Sequence, residues 1–235
     1  MQKYIEETFF TDIAKHEMIV IRDDGVHRHI RFKVPETTCM HFDLVTWPGY
    51  LCYSGDMGCF VFSRLHDMFE FFRTDRKYNQ SRCRKLAINL SYWSEKLQAV
   101  DGNRNGGNAQ EFSFEKFKEN VLDYIKRHEE DNLPGNEHDQ DAFLQHAAAY
   151  GELRDAVTSD VLSFDDNPVR AYDAANDFRH EGDAWAEFHG NKSNFEFSDF
   201  WEVDNTEYTH RFVWCCYALA WGIEQYDKAN NHAHT

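Results

Sequence analysis

The chain has 235 residues, of which 42% are hydrophobic and 16% aromatic, and its formal net charge at pH 7 is −16. This length and apolar content are enough for one large domain or two small ones with a buried core, and they exclude an intrinsically disordered chain. No stretch approaches the roughly 18 consecutive apolar residues of a membrane-spanning helix, so no membrane association is expected.

The N-terminus and the cysteines indicate where the protein works. The first seven residues lack the apolar region of a secretory signal peptide. The six cysteines do not have the spacing of a disulfide framework, and Cys215 and Cys216 are adjacent. Free thiols in a reducing compartment are therefore expected, which predicts a cytoplasmic protein.

The first hundred residues predict a small helix followed by an antiparallel sheet. Phe9, Phe10 and Ile13 recur at helical spacing, which predicts a helix over residues 6–15. Turn signals such as Asp23-Asp24-Gly25 then separate short segments of alternating apolar and polar residues. These segments predict a meander of four or five strands, at 18–22, 26–34, 39–46, 50–54 and 59–63. Helical patterns follow at 65–72 and 90–100.

The remainder of the chain predicts a helical body. The Gly- and Asn-rich stretch at 102–108 is the clearest loop, so we expect an α+β domain over residues 1–101 and a helical domain or subdomain, packed on it, over residues 109–229. Helices are predicted from the N-cap Ser113 to about His128, and at 140–161, 167–178 and 207–226. The last of these is apolar on nearly all sides, which predicts a position in the middle of the helical body.

Charge is divided unequally between the two parts. Residues 1–100 carry 14 Lys and Arg against 13 Asp and Glu, whereas residues 101–235 carry 11 against 28. Nucleic-acid binding needs Lys and Arg at the phosphates, so this composition argues against direct DNA binding by the C-terminal half. It is compatible with docking onto a basic protein or ribonucleoprotein surface, and it leaves the oligomeric state open.

Two predicted strands define a candidate ligand face. Only a register that pairs even with even residues places Ile30, Phe32 and Val34 beside Met40, Phe42 and Leu44. The same register collects six polar side chains on the opposite face, with Asp43 near Arg31: His27, His29, Arg31, Lys33, His41 and Asp43.

Three interpretations of this polar face remain open. It can be a solvated face with an Arg31–Asp43 pair, or a recognition face for nucleic acid or another anionic ligand such as a nucleotide, in a hydrolase or a sequestering protein. A metal site formed by His27, His29 and His41 is the third interpretation, but no recognised ligand spacing accompanies these histidines. We therefore predict no metal, no cofactor and no catalytic residue. His146 lies on an apolar stripe and is expected to be a core histidine.

The acidic residues form the second candidate surface. Ordinary solvation is the simplest interpretation, and a carboxylate array that imitates nucleic-acid phosphates is the alternative. If the second holds, the expected partner-binding residues are Glu129, Glu130, Asp131, Asp139, Asp141, Asp165 and Asp166.

Several segments also carry a likeness to known sequences: 27–32, 42–52, 54–58, 61–64, 68–73, 92–97 and 211–218. In these segments the chain resembles a family of proteins encoded by temperate phages and prophages of Gram-negative bacteria. The resemblance implies context, a phage accessory protein in the bacterial cytoplasm, and no chemistry. Such proteins often inhibit host defences, including CRISPR–Cas effectors. An inhibitor that binds a host nucleic-acid-handling complex is therefore expected.

Overall fold

The computed structural model describes residues 6–80, 86, 88–102, 108–136, 138–164, 167–190 and 193–233, without the side chains of residues 75–80 and 231–233. It divides into two compact units. Unit 1 comprises residues 1–111 and 208–235, and unit 2 comprises residues 112–207. The chain passes from one unit to the other within two short strands, β7 (Gln110–Phe112) and β8 (Thr206–Tyr208), which pair with each other.

Unit 1 is built on a six-stranded antiparallel sheet in which each strand pairs with the next strand in the chain. Alternation of apolar and polar side chains drives this arrangement, because every second residue points to the same face. The strands are β1 (Glu17–Asp24), β2 (His27–Lys33), β3 (Phe42–Trp47), β4 (Tyr50–Gly55), β5 (Gly58–Ser63) and β6 (Leu97–Val100).

The predicted register of β2 and β3 is confirmed. Phe32 lies opposite Phe42 and Ile30 lies opposite Leu44, so the apolar side chains share one face. The rings of Phe32 and Phe42 stack with centroids 4.8 Å apart, and all four side chains are fully buried. Burying each of them stabilises the fold by about 1.5–3 kcal/mol, which fixes the register against a one-residue slip.

Eight α-helices and one short 3₁₀ segment (Phe200–Glu202) are present among the described residues. Unit 1 contains α1 (Glu6–Asp12), α2 (Met68–Gln80), α3 (Leu90–Ser94) and the long final helix α8 (His210–Ala233). Unit 2 contains α4 (Phe114–Asp131), α5 (Gln140–Asp160), α6 (Pro168–Asp177) and α7 (Asp183–His189). Ser113, Asp139 and Asn167 cap the first three of these, each accepting a hydrogen bond from a backbone N–H three residues later.

The position predicted for the last helix is wrong. Helix α8 packs on the sheet of unit 1 and not inside the helical unit: Phe212, Trp214 and Ile223 belong to the same buried cluster as the strand residues. The helix is apolar on most sides because the sheet, α1 and α2 all contact it. The predicted helical domain over residues 109–229 therefore differs from unit 2, which ends at residue 207.

The fold class is α+β, with an N-terminal antiparallel sheet followed by helices, as predicted, but the sheet has six strands among the described residues and not four or five. The sixth strand, Leu97–Val100, falls in a segment predicted to be helical, where only Leu90–Ser94 forms a helix. Most of the predicted loop at 102–108 lies outside the described residues. The inner face of the sheet contacts α8, and the outer face is the opposite side of the sheet.

Candidate binding surfaces

The net charge of the protein resides entirely in unit 2. Residues 112–207 carry 24 Asp and Glu against 8 Lys and Arg, a net charge of −16. This value equals the charge of the whole chain, so the 17 acidic and 17 basic residues of unit 1 balance. The charged and neutral parts of the chain therefore coincide with the two structural units, including the return of the chain to unit 1 after residue 207.

Almost all of these carboxylates face solvent. Of the 21 that the structure describes in unit 2, 19 are exposed, and only Glu129 and Glu152 are half-buried. Five of the seven described cations of the unit form ion pairs within it: Lys116 with Asp204, Lys126 with Glu130, Arg127 with Asp123, Arg154 with Glu129, and Arg179 with Glu196. Most exposed carboxylates of unit 2 consequently have no cationic partner among the described residues.

The predicted partner-binding residues fall into three groups. Glu130, Asp131, Asp139 and Asp141 are exposed at the end of α4 and the start of α5, although Asp139 also caps α5. Glu129 differs, because only 22% of its side chain is exposed and it pairs with Arg154, which makes it a structural residue of the unit. Asp165 and Asp166 lie outside the described residues.

A buried aromatic core supports the acidic helices. Phe117, Tyr150, Trp185, Phe195 and Phe200 are almost fully buried and belong to one cluster that joins α4, α5, α7 and the 3₁₀ segment. Aromatic pairs within such a core add about 0.5–1.5 kcal/mol each beyond the area they bury. Most of the described carboxylates are therefore carried on helices that pack on this core, and three of the four helices have a side-chain cap.

On the outer face of the sheet, an arginine and a histidine side chain converge on one carboxylate. The Nε and Nη2 atoms of Arg31 each donate a 2.8 Å hydrogen bond to Asp43, and the Nε2 of His29 lies 2.8 Å from the second oxygen of the same carboxylate. Burial acts to raise the pKa of Asp43, but the hydrogen bonds and charges of Arg31 and His29 outweigh it and hold the pKa below its usual value. Asp43 thus pairs with both Arg31 and His29 within the sheet.

The other predicted members of this face lie apart from that cluster. His27 is exposed at the start of β2, and Lys33 at its other end lies opposite Glu17. His41 precedes β3, and its Nδ1 is 2.7 Å from the carbonyl oxygen of Thr38 and 3.2 Å from Asp56. The three histidines do not converge, and over the described residues no group of three His, Cys, Asp or Glu side chains could hold a metal ion.

Sequence reasoning missed a cluster of imidazoles in the core of unit 2. His128, His180 and His189 have ring centroids 4.0–5.9 Å from that of Trp185, and His146 lies 4.7 Å from the ring of Tyr150. His146 is 4% exposed and its Nε2 donates to the backbone oxygen of Glu129, as expected for a core histidine. The four histidines are 9 to 61 residues apart in the sequence, so the fold brings them together.

Two imidazoles of this cluster, His128 and His189, are disfavoured as cations. Burial lowers the pKa of both His128 and His189, and the neighbouring imidazoles lower that of His189 further, while Asp131 opposes the shift at His128. Three buried nitrogens have no hydrogen-bond partner among the described residues: Nε2 of His180, Nε2 of His189 and Nε1 of Trp185. Protonation of His128 or His189 is therefore expected to lower the stability of unit 2.

A second missed network lies at one end of the sheet. Arg28 is 8% exposed and donates two 2.9 Å hydrogen bonds to Asp67, while its guanidinium carbon lies 4.7 Å from the ring centroid of Phe69. Tyr226 of α8 donates to Asp23 of β1. Every one of these groups is paired, so the network joins β1, α2 and α8 and offers no open position to a ligand.

Two thiols lie close together on the outer face. The Sγ atoms of Cys52 and Cys59 are 3.6 Å apart, and all five described cysteines are free, as predicted. Burial, with Cys59 as the next contribution, raises the pKa of Cys52 to about 12, so its reactive thiolate form is suppressed at neutral pH.

Comparison with protein-family models, with curated proteins and with solved structures gave no match. Over the described residues, no helix combines the length and the hydropathy needed to span a bilayer. Function is therefore inferred from the chain's own residues.

Proposed function

We propose that the protein binds a basic, nucleic-acid-binding surface on a protein or ribonucleoprotein of a bacterial host, with unit 2 as an anionic docking module. Occupying that surface would inhibit the host complex. The observation that carries this proposal is the confinement of the whole net charge of −16 to one compact unit, beside a unit of no net charge.

Such a charge distribution has a thermodynamic cost. Like charges on a compact body repel one another and destabilise it. Unit 2 has one cation for every three carboxylates, and most of its described cations are already engaged in internal pairs. The remaining countercharge has to come from salt or from a partner, and a cationic partner offsets the repulsion at the moment of binding.

A nucleic-acid-binding surface is the partner that fits this charge best. Duplex DNA presents one negative charge per roughly 1.7 Å of its axis, and proteins that bind it line their surfaces with Lys and Arg. Exposed carboxylates on capped helices can imitate the negative charge of the DNA phosphates, but they carry no base sequence. Their binding is expected to weaken strongly with salt, as phosphate contacts do.

The outer face of the sheet supports the alternative function, a nucleotide- or metal-binding protein, less well. The two side chains best placed to hold an anion, His29 and Arg31, both contact Asp43 at 2.8 Å. An anionic ligand would have to displace a partly buried carboxylate that already binds both of them. A temperate-phage origin is part of this proposal, and it would agree with the inhibitory role because inhibitors of host complexes are common among phage accessory proteins.

A matched pair of charge-reversal variants tests the proposal. In unit 2, Glu130→Lys, Asp131→Lys and Asp141→Lys change exposed residues and leave the structural pair Glu129–Arg154 intact. In unit 1, the exposed residues Glu7, Glu36 and Glu70 are changed to Lys as the control. Each triple variant has a net charge of −10 in place of −16, and the unit 2 variant also loses the Lys126–Glu130 pair, whose exposure makes its contribution to stability small.

The immobilised proteins are incubated with bacterial lysate at two salt concentrations, and bound proteins are then eluted with duplex DNA and identified by mass spectrometry. The wild type and the control are expected to capture a nucleic-acid-binding complex that DNA and salt displace, whereas the unit 2 variant loses it. Equal capture by both variants, or a captured complex that DNA does not displace, would overturn the proposal.

A further inference from the structure

The strand β1 leaves an apolar edge of the sheet exposed. It lies at the end of the strand order and pairs only with β2 among the described strands. Three consecutive aliphatic side chains on it are exposed: Ile19 by 42%, Val20 by 48% and Ile21 by 50%. Sheet edges in natural proteins are usually protected by charges, prolines or short length, because their unpaired backbone groups can pair with another strand.

A β-bulge sets which residues of β1 share a face. The register shifts between Val20 and Arg22, so Ile21 is the extra residue. Glu17 lies opposite Lys33, Ile19 opposite Arg31 and Arg22 opposite His29, which places Glu17, Ile19 and Arg22 on the outer face. Met18 and Val20 lie opposite Phe32 and Ile30 and share the inner face.

This pattern is complementary to itself. Residues that lie opposite each other in an antiparallel pair point to the same face. When two copies of β1 are aligned antiparallel about a two-fold axis at Ile19, Ile19 faces Ile19, Met18 faces Val20 and Glu17 faces Arg22. The centre of the contact is apolar and each end carries one pair of opposite charges. Without the bulge, Glu17 and Arg22 would lie on different faces and could not meet.

We propose that β1 is the interface for a second copy of this chain, joined edge to edge in a continuous antiparallel sheet. A two-fold contact of this kind buries the same strand of both copies. In the neighbouring register, which places Val20 on the axis, Glu17 would face Asp24 and Ile19 would face Arg22. The first contact joins two negative charges and the second sets an apolar side chain against a charged one, so the register at Ile19 is favoured. Unit 1 has no net charge, so the two contacting units do not repel each other overall.

Charge exchange across the two-fold axis gives a sharp test. In Glu17→Arg, each arginine introduced at 17 faces Arg22 of the other copy, and in Arg22→Glu each glutamate introduced at 22 faces Glu17. Both variants are expected to be monomers. An equimolar mixture brings arginine at 17 against glutamate at 22, and the native Glu17 against the native Arg22, so it is expected to form a heterodimer. Glu70→Arg and Arg64→Glu reverse exposed charges of unit 1 away from β1 and serve as controls.

The molar mass of each sample is measured by sedimentation or by light scattering on a size-exclusion column. The wild type and the controls are expected at twice the chain mass of 27.8 kDa, the two β1 variants at that mass, and their mixture again at twice it. A monomeric wild type at the highest concentration that stays in solution would overturn the proposal. So would a dimer that persists in both β1 variants, or a mixture that stays monomeric.

Discussion

Arg28 of β2 donates two parallel hydrogen bonds, each 2.9 Å long, to Asp67 at the start of α2. The pair is nearly buried, with 9% of the Arg28 side chain and 17% of the Asp67 side chain exposed. Burial acts to raise the pKa of Asp67, but hydrogen bonds from Arg28 and from the backbone N–H of Phe69 outweigh it, so the pKa is lowered. The pair ties a helix to the sheet through residues 39 positions apart.

Asp67→Asn is expected to lower the free energy of unfolding of unit 1 by about 2 kcal/mol, because it removes the carboxylate that binds the buried guanidinium of Arg28 through two hydrogen bonds and leaves only Asp23, 3.9 Å away, as a countercharge. Urea unfolding, with hydrogen exchange to assign the change to unit 1, measures it. Asp24→Asn, which removes the exposed partner of Arg22, is the control and should change little. Equal effects of the two variants would contradict the role given to the buried pair.

Acid is expected to destabilise unit 2. Imidazoles whose pKa is lowered by folding bind fewer protons in the folded than in the unfolded state, so the free energy of unfolding falls as pH drops below about 6.5, the value of an unfolded histidine. His128 and His189 meet this condition. Unfolding of unit 2 is compared at about pH 7.5 and pH 5.5.

His189→Phe should reduce that pH dependence, because a phenyl ring can keep the stacking on Trp185, whose centroid lies 4.0 Å away, and cannot be protonated. His138→Asn removes an exposed imidazole that is solvated in both states, and it serves as the control. A stability of unit 2 that does not change between the two pH values would rule out the imidazole cluster as an acid-sensitive element.

Two glycines within helices are expected to respond oppositely to Ala. A Cβ on Gly222 of α8 would lie 3.0 Å from Leu44 and 3.1 Å from Phe32 of the sheet, whereas a Cβ on Gly151 of α5 would meet nothing within 4 Å. Gly222→Ala should cost about 1–3 kcal/mol by overpacking. Gly151→Ala should be neutral or stabilise by up to about 1 kcal/mol, because Ala is the better helix former. Thermal unfolding of both variants decides this, and a stable Gly222→Ala protein would contradict the close packing of α8 on the sheet.

Asp43→Asn tests whether the outer face of the sheet or the acidic surface binds the host complex. It removes the carboxylate shared by Arg31 and His29, and a loss of about 1 kcal/mol is expected because Arg31 is 41% exposed and the pair is partly screened. Capture of the host complex should be unchanged, since the acidic unit is intact. Loss of capture without unfolding would assign the binding function to the sheet face instead.

The register of β2 and β3 could be predicted because alternation fixes which residues share a face, and a slip would expose Phe32 and Phe42. The helices capped by Ser113, Asp139 and Asn167 were predictable for a similarly local reason. Each of these side chains accepts a hydrogen bond from a backbone N–H in the first turn of its helix. The proximity of Arg31 and Asp43 follows from the register alone.

Other features depend on contacts that sequence patterns do not encode. Leu97–Val100 is only four residues long, so pairing with β5 decides that it is a strand. The apolar surface of α8 shows that the helix is buried but not which core receives it. Glu129 could not be told from Glu130 in the sequence, because only the fold places Arg154 beside it. The imidazole cluster was hidden for the same reason.

The dependence of binding on salt tests the central claim most directly. Dissociation constants of the captured host complex are measured at several salt concentrations for the wild type and for the two triple charge-reversal variants. The account predicts a steep loss of affinity with salt for the wild type and the unit 1 control, and a weaker affinity with a shallower slope for Glu130→Lys, Asp131→Lys and Asp141→Lys. Identical affinities and slopes for all three proteins would contradict it.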